Sequence, residues 1–216
     1  MSTTPLIDLT IRDFVRDLAS SDPAPGGGAA AAVAAAMGAA LTAMTAALTI
    51  GRGRYADVES EMRDIHLRSQ QLASELLALV DADAASYTGV MDAYQLPAGT
   101  EEERSVRHDA IQATMRQATD VPLAVAEACV QVLELAAVAA EMGNRNARGD
   151  VAAGAHLAQA ALLSVGRNVR LNVSGMDDHD FRRLAEARVS NLLARGDDLV
   201  RRATAARSRV AVPTPA

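Results

Sequence analysis

An uncharged, alanine-rich stretch constrains this sequence more than any other feature. Residues 29–50 read AAAAVAAAMGAALTAMTAALTI and carry no charged side chain over 22 positions. The stretch is long enough to span a bilayer, but it consists mostly of Ala, Thr and Gly and has no aromatic residue at either end. We therefore predict a helix that is buried on all sides in a protein core. Its small side chains would let neighbouring backbones approach closely, including across a dimer axis.

The remaining sequence also favours helices. Half of the 216 residues are hydrophobic, yet only 2% are aromatic and there is no Trp, whereas strands draw on β-branched and aromatic residues. No segment alternates apolar and polar residues as a half-buried strand does. The sequence predicts an all-α fold, a single homodimeric bundle of long helices over residues 1–209. A disordered tail is expected at 210–216.

Turn residues and capping residues divide the chain into predicted helices. Thr10, followed three residues later by Asp13, is typical of a helix N-terminus. Pro122 is expected to kink or restart the fourth helix, and Asp150 is expected to cap the fifth. The predicted helices cover about residues 8–20, 29–49, 57–95, 101–142, 150–173 and 178–207.

Charge and cysteine content exclude several function classes. The net charge of −6 disfavours a nucleic-acid interface, and no membrane partner is expected. One cysteine cannot form an internal disulfide and is compatible with a reducing compartment. The N-terminus lacks a signal-peptide pattern, so we expect a cytoplasmic protein. The four histidines show no metal-ligand spacing, and we expect neither a metal site nor a tightly bound cofactor.

Asp83 is the sharpest candidate for chemistry. At 100° per residue it falls within the apolar stripe of the long predicted helix, whereas Asp81 lies on the polar side. An apolar environment raises the pKa of a carboxyl group, so Asp83 could act as a general acid near neutral pH. The alternative is a structural aspartate that pairs with an arginine from another helix.

Two further patterns suggest ligand binding. Gly26, Gly27 and Gly28 precede a helix, where backbone N–H groups are open to a ligand; a tight turn between helices would use the same residues. Asn168 and Asn172 lie one helical turn apart and could read the donor–acceptor edge of a pterin-like ring. Hydrogen bonding between helices is the alternative for this pair.

Several blocks, in order from about residue 8 to 205, resemble the cyclodeaminase/cyclohydrolase family. This family includes the cyclodeaminase half of formiminotransferase-cyclodeaminase and stand-alone bacterial methenyltetrahydrofolate cyclohydrolases. The blocks are PAPGGGAAAAVAAAMGAAL (23–41), LTIGRGRY (48–55), LVDADAASYTGVMDAYQLP (79–97), TDVPLAVAE (119–127), MGNRNARGDVAAGAHLAQAAL (142–162) and RNVRLNVSGMDDHDF (167–181).

The resemblance implies an all-helical homodimer with a folate pocket at the subunit interface and a tetrahydrofolate derivative as substrate. It implies that Asp83 is the catalytic acid, and that a set of residues lies near the substrate. These residues are Gly26, Gly27, Gly28, Asn144, Asp150 and Asn168. The sequence departs from many relatives at Ala29, where they often have Ser or Thr, and at Gly149, where they often have Ser. These changes remove individual hydroxyl groups but not the acid.

Arg52 and Arg54 are candidates for holding the glutamate tail of a folate. They lie in a Gly-flanked loop, and the chain has no Lys, so any anion site must use Arg, His or backbone N–H groups. Solvated surface arginines are the alternative.

The stand-alone length leaves the reaction open. We favour a formiminotetrahydrofolate cyclodeaminase, which converts 5-formimino-tetrahydrofolate to 5,10-methenyl-tetrahydrofolate and ammonia. The alternative enzyme is a methenyltetrahydrofolate cyclohydrolase, which adds water to the methenyl form and gives 10-formyl-tetrahydrofolate. A non-catalytic helical dimer that serves as a scaffold is the third hypothesis.

Overall fold

A computed structural model describes residues 4–205, and this part of the chain contains helices and no strand. The predicted all-α fold is therefore confirmed. The long helices are α1 (Ile11–Leu18), α2 (Gly27–Ala47), α3 (Glu59–Tyr94), α4 (Glu101–Met142), α5 (Arg148–Ser174) and α6 (His179–Ala205). Short 3-10 turns cover Leu6–Asp8, Gly53–Val58 and Arg145–Ala147. The predicted tail at 210–216 lies outside the described residues.

Capping residues fix two helix starts where the sequence predicted them. The Asp13 backbone N–H donates to Thr10 Oγ1 at 3.1 Å and begins α1. Thr100 and Glu103 form a reciprocal capping box at the start of α4, which satisfies N–H groups that have no partner inside the helix.

We predicted either a kink or a restart of the fourth helix at Pro122, and the restart is wrong, because α4 runs without interruption from Glu101 to Met142. A proline inside a helix removes one hydrogen bond and costs roughly 3 kcal/mol. Here Pro122, like the following Leu123, is buried against neighbouring helices. Tertiary packing of this segment therefore offsets the local cost and keeps α4 whole.

The prediction that Asp150 caps the fifth helix is also wrong. Helix α5 begins at Arg148 and its N-cap is Ala147, so Asp150 lies inside the first turn. The helix starts early because the 3-10 turn Arg145–Ala147 leads directly into it. An acidic residue in the first turn remains favourable, since it faces the positive end of the helix dipole.

Helix α2 packs against α3, α4 and α5 and forms the centre of the core. Its contact with α5 is made backbone to backbone at one crossing. A Cβ atom at Gly38 would lie 2.6 Å from the Gly154 carbonyl oxygen, and a Cβ atom at Gly154 would lie 2.8 Å from that of Gly38. Glycine at both positions is therefore what permits this approach.

One stripe of α2 faces outward, so a single chain alone does not bury this helix on all sides as predicted. Met37, Ala40, Met44 and Ala47 are exposed along this stripe, and the side chain of Met37 is 48% exposed. Neighbouring helices cover the rest of the surface of α2. By length and composition α2 and α4 could each cross a membrane, but most of the apolar window of each is buried inside the described structure, as in core helices.

The close crossing of α2 and α5 yields a stability prediction. We expect Gly154→Ala to lower the free energy of unfolding by about 1–3 kcal/mol, because the new methyl group overlaps the Gly38 backbone. Gly89→Ala is the matched control inside α3, where a Cβ atom meets nothing within 4 Å, and it should raise stability by up to about 1 kcal/mol. Urea unfolding of both variants measures the change in the free energy of unfolding. Equal changes in the two variants would contradict the idea that glycine is required at the contact between α2 and α5.

Candidate active site

A pocket of about 390 Å³ opens where the N-terminus of α2 meets α3, α4 and α5. It brings together five of the residues that the family resemblance places in the site. These are Gly26, Gly27, Gly28, Asp83 and Asn168. The volume is within the range of small-molecule sites, roughly 300–1,000 Å³. The pocket is therefore the candidate active site.

The Asp83 carboxyl group rests on the first turn of α2. A Cβ atom at Gly28 would lie 2.0 Å from Asp83 Oδ1, so the carboxyl group occupies the space that any larger residue would fill. Gly26, the N-cap of α2, has no side chain to accept from the free N–H groups of that turn. Asp83 does so from α3, accepting a hydrogen bond from the Ala29 backbone N–H. The need for glycine at position 28 thus follows from Asp83 itself.

Two opposing effects act on the pKa of Asp83. Burial raises this pKa above its ordinary value, and the hydrogen bond from Ala29 lowers it by a smaller amount. Among residues 4–205, no cation forms an ion pair with this carboxyl group, so the structure does not favour the alternative of a structural Asp–Arg pair. Asp83 can therefore hold a proton at higher pH than an exposed aspartate, and its ionised form still has a donor.

Asp81, two residues earlier, has a different partner. Its Oδ1 atom accepts a hydrogen bond of 2.7 Å from the Leu6 backbone N–H, which ties the N-terminal segment to α3. The two acids thus lie on different faces of α3, as the helical spacing predicted.

The α4–α5 wall of the pocket carries the asparagine pair. Within the part of the chain that the structure describes, Asn168 has no hydrogen-bond partner for its amide, and it lines the pocket. Asn172 lines it too and donates from Nδ2 to the Ala118 carbonyl oxygen at 2.8 Å. One asparagine is thus free for a ligand and the other joins two helices.

Several lining residues did not emerge from the sequence. Tyr87 lies one turn after Asp83 on the same face of α3 and is 41% exposed. Its spacing from the acid was a signal that could have identified it as a surface for a planar ring. Other lining residues that the sequence did not single out include Ser86, Met115 and Ala118.

The other four predicted substrate residues lie at the opposite end of α2. Arg52 and Arg54 follow the C-terminus of α2, and Asn144 and Asp150 flank the start of α5 beside it. Since α2 has 21 residues, the two ends are ~30 Å apart at 1.5 Å per residue. The structure of one chain therefore does not bring these four residues to the Asp83 pocket.

At this end of α2, which we call the distal end, some polar side chains form hydrogen bonds within the chain and others are exposed. Asn144 is 5% exposed, donates from Nδ2 to the Leu48 carbonyl oxygen at 3.0 Å and accepts from the Asn146 N–H at 3.1 Å. Its side chain therefore stabilises the loop. Arg52 and Arg54 are exposed and form no ion pair with any described residue.

Ala29 and Gly149, where the sequence departs from many relatives, lie near opposite ends of α2. Ala29 is fully buried, and its backbone N–H is the group that binds Asp83, so the missing hydroxyl leaves that hydrogen bond in place. Gly149 lies in the first turn of α5 and is exposed, and a Cβ atom there would meet nothing within 4 Å. Neither departure disturbs the position of Asp83.

Comparison with known proteins gives a consistent set of relatives. A family model described as Formiminotransferase-cyclodeaminase matches residues 10–191. The chain is 42% identical over 183 residues to the methenyltetrahydrofolate cyclohydrolase of Methylorubrum extorquens, covering 85% of this chain and 86% of that protein. It is 36% identical over 188 residues to the formimidoyltransferase-cyclodeaminase of Mus musculus, covering 87% of this chain but 35% of that protein.

A solved structure shares the fold. The crystal structure of formiminotetrahydrofolate cyclodeaminase from Thermotoga maritima matches with a TM-score of 0.83 and 28% sequence identity. The match covers 92% of this chain and 95% of that chain. The helical arrangement around the pocket is thus that of a known enzyme fold.

The raised pKa of Asp83 yields a stability prediction. Because the folded-state pKa lies above the unfolded value of about 3.9, the favourable contribution of the carboxyl group is complete below that pH and is lost as pH rises through the folded-state pKa. Asn at this position keeps an acceptor for the Ala29 N–H and carries no charge. We expect Asp83→Asn to unfold at the same or a higher urea concentration than wild type near pH 7.5.

The same comparison near pH 4 is the internal control. At lower pH a larger fraction of the wild-type carboxyl group is protonated in the folded state, so any advantage of Asp83→Asn should shrink. A variant that is clearly less stable than wild type near pH 7.5 would show instead that the ionised carboxylate holds the fold together.

Proposed function

Because the chain belongs to the formiminotransferase-cyclodeaminase family, we propose that it is a methenyltetrahydrofolate cyclohydrolase in which Asp83 is the proton-transferring residue. The observation that carries the proposal is the Asp83 carboxyl group, which lies in a pocket, has no cationic partner among the described residues and has a raised pKa. The choice of reaction is supported by the 42% identity to a cyclohydrolase along 86% of its length. It reverses our preference from sequence alone.

The proposed reaction needs a proton at a departing nitrogen. Water adds to the carbon that bridges N5 and N10, loses one proton and leaves a tetrahedral carbon with a hydroxyl group. The bond from that carbon to N5 then breaks, N5 takes up a proton, and the hydroxyl group loses its proton to become the formyl carbonyl. An acid beside N5 lowers the barrier of this step, an effect typically worth about 10²–10⁴-fold in rate.

Asp83 suits this role in both ionisation states. Burial favours the protonated acid, which can donate to the departing nitrogen. The Ala29 N–H at the start of α2 then stabilises the carboxylate that remains. A single residue can therefore receive a proton from water and return it to the substrate nitrogen.

Formiminotetrahydrofolate cyclodeaminase is the second candidate, and the match to the Thermotoga maritima structure favours it. In that reaction N10 attacks the formimino carbon, and the amino group leaves the tetrahedral carbon as ammonia once it is protonated. The same acid would serve. In both reactions the folate supplies or receives the bonds that form and break, and the protein needs only to transfer protons, so neither calls for a bound cofactor.

Offering the purified protein 5,10-methenyl- and 5-formimino-tetrahydrofolate separately distinguishes the candidates. A cyclohydrolase removes the near-UV absorbance of the methenyl form, whereas a cyclodeaminase produces that absorbance from the formimino form and releases ammonia. Turnover of neither folate, with the fold intact, would instead support the non-catalytic scaffold.

The asparagine pair and Tyr87 suit a pteridine ring. Such a ring is planar and has donors and acceptors along one edge. Asn168 has a free amide and lines the same pocket as Asp83, and the ring of Tyr87 is a surface for stacking. We expect the pteridine to bind between α3 and α5, with its reacting carbon toward Asp83.

The exposed stripe of α2 supports the proposal of a homodimer. Met37, Met44 and Leu48 lie along it with 48%, 38% and 39% of their surface exposed, and no charged residue lies between them. An apolar helix face of this kind is typical of a surface that pairs with another chain. A two-fold axis across the middle of α2 would pair the stripe with itself in antiparallel orientation.

Such a dimer would complete the site. Antiparallel pairing places the C-terminal end of one α2 beside the N-terminal end of the other, so the distal end of the partner would meet the Asp83 pocket. Arg52 and Arg54 would then be available for the glutamate tail of the folate. Arg148 lies at the same end, and its Nε is buried without an acceptor among the described residues of one chain.

Asp83→Asn tests the acid. We expect kcat to fall by at least about a hundredfold, because the amide cannot donate an acidic proton. Asp81→Asn is the matched control, since its amide oxygen can still accept from the Leu6 N–H, and it should leave kcat close to wild type. Equal losses in the two variants would remove the catalytic assignment.

Mixed dimers test the shared site. We expect a variant with both Arg52→Ala and Arg54→Ala to raise KM more than it lowers kcat, because the tail binds alike in ground and transition states. Mixing it with Asp83→Asn subunits should restore activity with the wild-type KM, since each mixed dimer then holds one intact site. A stable active monomer, or no restored activity, would contradict the proposal.

A further inference from the structure

Pro122 leaves one backbone carbonyl in α4 without its helical donor. In an α-helix the N–H of each residue donates to the carbonyl oxygen four residues earlier. Proline has no N–H, so the Ala118 carbonyl oxygen cannot be satisfied in that way. Ala118 is 7% exposed, and leaving a buried carbonyl without a donor is costly.

Asn172 supplies the missing donor from another helix. Its Nδ2 atom lies 2.8 Å from the Ala118 carbonyl oxygen, across the contact between α4 and α5. Because Pro122 supplies no N–H to this carbonyl oxygen, Asn172 is the donor that satisfies it. The proline and the asparagine therefore act as a pair, in which one frees the carbonyl and the other binds it.

The pair stands in the wall of the candidate active site. Ala118, Pro122 and Asn172 all line the pocket that holds Asp83 and Asn168. Asn172 lies one turn after Asn168 on the same face of α5. The hydrogen bond between α5 and α4 at Asn172 therefore also holds in place the helix turn that carries the free amide of Asn168.

The same hydrogen bond also sets which way the Asn172 amide faces. With Nδ2 bound to a carbonyl oxygen, the opposite orientation would bring two oxygen atoms together. Oδ1 has no donor among the described residues. Asn172 thus offers a ligand an acceptor, and its donor is already used.

We propose that Pro122 and Asn172 form a positioning element of the active site: the carbonyl freed by Pro122 fixes Asn172, which orients Asn168 and presents Oδ1 to a ring N–H donor of the substrate. The identity of that ligand as a folate rests on the proposed function. The hydrogen-bond pairing itself does not.

A double-mutant cycle tests the pairing without any folate. We expect Asn172→Ala to lower the urea midpoint, because the Ala118 carbonyl loses its donor. Pro122→Ala supplies an N–H to the same carbonyl, so in that background Asn172→Ala should cost clearly less. Asn168→Ala is the control in the same helix; its cost should be small and independent of Pro122→Ala. Additive losses for Pro122 and Asn172 would overturn the pairing.

Equilibrium binding of 5-formyl-tetrahydrofolate, a stable reduced folate, tests the positioning. We expect Asn172→Ala to weaken binding about tenfold, which corresponds to about 1.4 kcal/mol. The Pro122→Ala background should restore the urea midpoint but not this affinity, because α5 stays untied. A purely structural role would restore both.

Unchanged affinity in Asn172→Ala would overturn the positioning role. The failure of the proposed function would look different, since wild type would then turn over neither folate while the stability cycle kept its coupling. Wild type that binds no reduced folate would overturn the assigned ligand.

Discussion

The close approach of α2 to its neighbours is the constraint on which the rest of this structure depends. Three long helices can surround α2 because its buried face consists almost entirely of alanine and glycine. At one crossing the Gly38 and Gly154 backbones meet with no room for a methyl group. Larger side chains would separate the helices, and the Asp83 carboxyl group would then not reach the first turn of α2. The composition that makes the core possible therefore also makes the site possible.

Asp83 is a residue that would not be expected at a buried position for reasons of stability. A buried carboxyl group without a cation is unfavourable when ionised, and the pKa of Asp83 is raised for that reason. The N-terminus of α2 limits this cost, because it offers an N–H donor and the positive end of a dipole. Asp83 can therefore lose a proton while its carboxylate stays hydrogen-bonded to the Ala29 N–H. Asp81, whose carboxylate holds the N-terminal segment, has a structural task and an ordinary partner.

The sequence predicted local structure well and long-range placement less well. Helical periodicity separated Asp83 from Asp81, and the Thr10 cap began α1 where expected. The predicted restart at Pro122 was wrong because local preference disfavours a proline inside a helix. In the structure the missing hydrogen bond is replaced by one from Asn172, 50 positions later in the chain. Arg52 and Arg54 were assigned to the same site as Asp83. The two arginines and Asp83 lie at opposite ends of α2, which are ~30 Å apart because of the length of that helix, and sequence similarity gives no distance of this kind.

This separation explains a feature of the composition that packing within one chain leaves open. A helix with an exposed stripe usually carries charge there, but the outward face of α2 is occupied by Met and Ala. In the proposed antiparallel dimer the stripe would be covered by the stripe of the other chain, and any charge on it would be buried without a partner of opposite sign. Cations can then occur only beyond the ends of the stripe, as Arg52 and Arg54 do. In that position they would flank the acid of the other chain, so the proposed dimer would account both for the absence of charge on α2 and for the division of the site between its two ends.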